Sequence, residues 1–140
     1  MWFLIANLSM ATIKQLIDKN KSALERQYYI ECISLSYILI VKALKQVIKE
    51  ERILVKNPQP KLNNYVKILK AHFQKNPIFK KKLKKNVYRQ IAAFSENHKV
   101  VMRELKYQYP EVKLKNLAKN GINIIIQLNT TLVKLKSNKL

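Results

Sequence analysis

The chain is expected to be all-α, an antiparallel helical bundle of four to five main helices plus a short basic helix. Three observations point there. One glycine and four prolines in 140 residues supply few tight turns, which disfavours hairpin-rich sandwiches and barrels. Apolar residues recur three and four positions apart along most of the chain, the period of a helix with one buried face. The hydrophobic content of 48% is ordinary for a globular domain, and the length suits one domain with its own core. Residues 1–11 read as an N-terminal extension and 12–140 as the single bundle domain.

The first helix is expected from about Thr12, the candidate N-cap, to Arg26, with Ile13, Leu16, Ile17, Asn20 and Leu24 on one face. A second runs from near Tyr28 to Ile53. Ile30, Ile33, Tyr37, Val41, Leu44 and Ile48 form one stripe, and Leu35, Leu39 and Ala43 a second, so this helix is expected at the centre. Pro58 and Pro60 then enforce an extended connection. Leu62, Tyr65, Val66, Leu69 and Phe73 define a third helix, closed by Asn76-Pro77, with a short basic helix around Ile78 to Leu83. Val87, Ile91, Phe94, His98, Val101 and Leu105 mark the next long helix, which Pro110 is expected to end. The last helix starts near Glu111 and keeps Leu114, Leu117, Gly121, Ile124, Leu128, Leu132 and Leu135 in phase. The lone glycine on that inner stripe predicts close approach of another backbone.

The net charge of +20 is unevenly placed. Residues 1–51 hold seven bases and five acids, and residues 96–111 hold three of each. Residues 52–95 hold twelve bases and no acid, and residues 112–140 hold six lysines and no acid. An AT-rich genome would enrich lysine but would not deplete acids. Bases without acids on neighbouring turns leave repulsion uncompensated, which a polyanion relieves. RNA is the first expectation, before DNA. Lys80, Lys81, Lys82, Lys84 and Lys85 are the densest cluster, and with Arg89 and Arg103 they are the candidate nucleic-acid-binding residues.

Catalytic chemistry is sparsely provided. One aspartate and seven glutamates make a two-metal nuclease improbable. His72 and His98 have no partner at zinc-ligand spacing, and one glycine allows no phosphate loop, so no metal or cofactor is expected. Cys32 lies in an apolar helix and reads as a core residue; His98 reads as a structural histidine on the core seam. A lone cysteine forms no internal disulfide, which fits a cytoplasmic protein. The uncharged run from Cys32 to Val41 is far shorter than the ~20 residues of a membrane span, so no integral membrane association is expected.

Two stretches carry a family resemblance. Residues 27–45, from Gln27-Tyr28-Tyr29 through the apolar run to Ala43-Leu44-Lys45, resemble the second helix of HEPN domains, the higher eukaryotes and prokaryotes nucleotide-binding family. Val101-Met102-Arg103-Glu104-Leu105-Lys106-Tyr107-Gln108-Tyr109-Pro110 falls where that family carries an arginine, a polar residue and a histidine. Arg103 matches, but positions 107 to 109 are Tyr, Gln and Tyr, so the histidine is missing. The resemblance implies an RNA-binding helical domain without efficient catalysis, and a homodimer with its site between two copies. The apolar Leu35–Leu39–Ala43 stripe would serve that interface. It also leaves a metal-independent endoribonuclease toxin as an alternative, with Arg103 and Tyr107 as catalytic residues or a displaced His98. Tyrosine titrates near 10 and is a poor base at neutral pH. A further alternative is an interaction module of a phage or mobile element, whose basic face docks an acidic protein.

Overall fold

The computed structural model describes residues 10–56, 60–83, 85–104 and 109–137. Six helices form one packed body with no strand among the described residues: α1 (Met10–Glu25), α2 (Tyr29–Glu50), α3 (Leu62–Lys75), α4 (Pro77–Lys82), α5 (Lys85–Glu104) and α6 (Glu111–Ser137). The all-α expectation holds, and α4 is the short basic helix. No described helix is long and apolar enough to cross a membrane.

Helix phase places the core where the pattern requires. Leu62, Tyr65, Val66, Leu69 and Phe73 of α3 are all buried, as are Leu117, Gly121, Ile124, Leu128, Leu132 and Leu135 of α6. Helix α2 packs against α1, α3 and, most extensively, α6, and residues of both its stripes are buried. Leu35 and Leu39 are buried inside the single chain. That stripe is therefore not a free surface, and the dimer face assigned to it must lie elsewhere if a dimer forms.

Helix directions follow from pairs of contacts. Asn20 of α1 bonds Ser36 of α2 across an antiparallel hairpin. Gln127 of α6 donates to Gln90 of α5 at 2.9 Å while Phe94 lies beside Gly121, so α5 and α6 are antiparallel. Ser95 and Phe73, facing Asn63 and Tyr88, make α3 and α5 antiparallel as well. Cys32 sits 4.0 Å from the Ala118 carbonyl and Ser36 abuts Gly121, so α2 and α6 advance in the same direction. The bundle thus has a parallel central pair flanked by antiparallel helices.

Gly121 lets that pair close. A Cβ there would stand 2.7 Å from Ser36 Cβ and 2.9 Å from Phe94 Cε2, inside any tolerable contact. The close approach expected from its place on the inner stripe is real, but the partners are side chains rather than a second backbone. Small residues on both sides (Cys32, Ser36, Ala118 and Gly121) let α2 and α6 approach closely along the most extensive helix interface of the described residues.

Several element ends differ from expectation. Helix α1 is already formed at Met10, so Thr12 lies within it and is not its N-cap; residues 1–9 lie outside the described part. Helix α2 stops at Glu50, short of Ile53, because Arg52 turns left-handed at φ 55°. The Ile53 N–H bonds the Ile48 carbonyl and the Arg52 N–H bonds that of Lys49, a Schellman ending. Gln27, at φ 65°, ends α1 in the same way, through Tyr28 to Ala23 and Gln27 to Leu24. The described part of α5 ends at Glu104. Pro110 caps the next helix, its carbonyl accepting from the N–H groups of Lys113 and Leu114.

Candidate functional site

Helix α4 exists because local signals agree. Asn76 Oδ1 accepts from the N–H groups of Ile78 and Phe79, and Pro77 occupies the first turn where no N–H is needed. Phe79 and Leu83, one turn apart, are fully buried. Phe79 packs on Phe73 with centroids at 5.1 Å and on His72 at 4.7 Å, and Phe73 meets Tyr88 at 5.5 Å. This aromatic corner fixes α4 against α3. Between its two anchors the chain carries Lys80, Lys81 and Lys82. Lys81 is exposed; the side chains of Lys80, Lys82 and Lys85, and all of Lys84, lie outside the described part.

The helix directions gather more cations than the lysine run alone. The C-terminal ends of α2, α3 and α6 and the N-terminal end of α5 share one pole of the bundle, where α4 packs on α3 and α6. Exposed there are Lys45, Lys49 and Arg52 around the end of α2, and Lys67, Lys70 and Lys75 on α3. Lys81, Arg89 and Lys134 complete the group. None of these makes an ion pair among the described residues, where the pairs are His72–Glu51 at 3.8 Å and Arg103–Glu104 at 4.0 Å. The acids nearest this pole, Glu50 and Glu51, are only partly exposed; Gln46 donates to Glu50, and Glu51 faces His72.

The site residues expected from sequence are therefore only partly brought together. Arg89 stands at the basic pole. Arg103 lies fourteen residues further along α5, about 21 Å away at 1.5 Å per residue, near the start of α6. Its side chain is 72% exposed, and its one described partner is the neighbouring Glu104. Exposed Glu96 lies between the two arginines on the same helix. Tyr107 lies outside the described residues. Sequence reasoning missed Lys45, Lys49, Lys67, Lys70, Lys75 and Lys134 as members of the same surface. The signal for the α3 lysines was present, since they belong to the acid-free stretch 52–95. No signal joined Lys134 or Lys45 to them before the helices were packed.

The remaining candidates for chemistry are interior. His98 is half-buried and stacks on Tyr37, centroids 4.1 Å apart and planes 19° apart, with Phe94 at 6.1 Å. Burial lowers its pKa, so the imidazole is neutral at pH 7. Cys32 is fully buried, and burial pushes its thiol up to about 11, so it holds no thiolate at neutral pH. Among the described residues no three His, Cys, Asp or Glu side chains come together as a metal would need. Comparison with family models, with curated proteins and with solved structures returned no match.

Proposed function

We propose that this protein is a HEPN-like helical domain that binds RNA or another polyanion through its basic pole, without efficient catalysis. The observation carrying this reading is the convergence of nine exposed bases, none with an ion pair among the described residues, from α2, α3, α4, α5, α6 and the turn after α2 on one end of the bundle. Phosphates placed there replace the missing acids and relieve the repulsion between neighbouring cations. Lys81 of α4 belongs to this surface, and Arg89 extends it along α5. Arg103 stands apart and adds a contact only for a ligand that follows α5 for several nucleotides. The ribonuclease alternative asks more of the site. His98 is engaged with Tyr37, and Arg103 is the one matching member of the family's pair.

The test is fluorescence anisotropy with a single-stranded RNA over a series of salt concentrations. Affinity is expected to fall with a log–log slope of several units, and Lys81→Glu or Arg89→Glu is expected to weaken binding and flatten that slope by about one unit or more. A flat salt dependence sinks the reading. RNA cleavage abolished by Arg103→Ala, with the fold retained, would instead establish the ribonuclease.

A further inference from the structure

A cleft beside the basic pole is apolar in character. It lies between the end of α2 and the start of α3 and has a volume of ≈ 360 Å³. Ile48, Ile53, Leu54, Val55, Pro60 and Tyr65 form its walls, and Lys45 and Lys49 stand on its rim. Leu54 is 81% exposed, the most exposed large apolar side chain among the described residues. The walls are preformed: Ile48 and Ile53 are the two residues whose backbones close the Schellman turn at Arg52, a motif that holds their side chains together.

We propose that this cleft docks an acidic segment of a partner protein that inserts one apolar anchor side chain. Charge complementarity and the chemistry of the walls select this occupant. Lys45 and Lys49 are one helical turn apart, both exposed and without ion pairs among the described residues, so carboxylates flanking the anchor find two cations on one rim. An apolar side chain gains from covering Ile53, Leu54 and Val55. A nucleobase gains less. Its edge carries hydrogen-bonding groups that aliphatic walls leave unpaired, and the one aromatic lining residue, Tyr65, is buried and presents no face for stacking. The proposal does not depend on the RNA reading.

The test titrates the full-length, ¹⁵N-labelled protein with a synthetic peptide of Asp and Glu flanking a single Leu. A second peptide has Ser in place of that Leu. Shifts are expected at Ile48, Ile53, Leu54 and Val55, and the Ser peptide is expected to bind roughly tenfold more weakly or worse. Leu54→Asp, which alters an exposed side chain and so spares the fold, is expected to cause a similar loss. Lys113→Glu, on the opposite pole, is expected to cause almost none. Equal affinity for the two peptides, no peptide binding, or full binding by Leu54→Asp overturns the proposal. RNA binding lost in Leu54→Asp while the peptide never binds assigns the cleft to RNA, which overturns this proposal and leaves the polyanion reading standing. Peptide binding at the cleft beside salt-independent RNA binding supports the cleft and sinks only the polyanion reading.

Discussion

Asn20 occupies a costly position. It is fully buried; its Nδ2 donates to Ser36 Oγ at 2.7 Å, but its Oδ1 finds no hydrogen-bond partner among the described residues. A buried carbonyl left so costs about 1–3 kcal/mol. Ser36→Ala alone removes the remaining partner and is expected to lower stability by a similar amount. The double substitution Asn20→Leu with Ser36→Ala is expected to be at least as stable as the parent, because no polar group then stays unpaired. Urea unfolding of the two single variants and the double variant measures the coupling, and a double variant less stable than either single one refutes this account. Asn20 was legible as a member of the inner face of the first helix, from its spacing alone. Its partner was not, since sixteen residues and a reversal of direction separate the two.

At the scale of elements, the helix interiors follow their sequence closely and the ends do not. Every apolar position assigned to α3 is buried, because a 3.6-residue period constrains all of them together. The end of α2 depends on one backbone rotation, and no glycine marks it. Arg52 holds φ 55°, a region costing a non-glycine residue roughly 1 kcal/mol. Arg52→Gly is therefore expected to raise stability by about 0.5–1 kcal/mol, read as a rise of a few degrees in Tm, despite the greater freedom of glycine in the unfolded chain. Arg52→Val is expected to lower it. A fall in Tm for Arg52→Gly would show that the Arg52 side chain contributes more than its backbone costs.

For the whole molecule the controlling quantity is charge. Packing brings bases from both acid-free stretches to one pole, with the partly exposed Glu50 and Glu51 as the nearest acids. Repulsion there opposes folding, and salt screens it within about 10 Å at 0.1 M. Tm is expected to rise by several degrees between 20 mM and 300 mM NaCl, followed by circular dichroism, and the charge reversals Lys70→Glu and Lys81→Glu are expected to reduce that rise. A Tm that falls with added salt would mean that attractive pairs outweigh the repulsion.

The helical class, the six segments, most of the buried faces and the two stretches without acids can all be read from residue order. Helix formation and amphipathicity depend on neighbours within a turn or two, and net charge depends on no geometry at all. Which stretches meet is different. The parallel pairing of α2 with α6 rests on Cys32, Ser36, Ala118 and Gly121 fitting together across more than eighty residues of chain. That pairing, with α5 laid antiparallel beside α6, brings Lys134 to the same pole as Arg89 and sends Arg103 to the far end. The basic surface is a product of packing, because it is assembled from residues that only the tertiary fold makes neighbours.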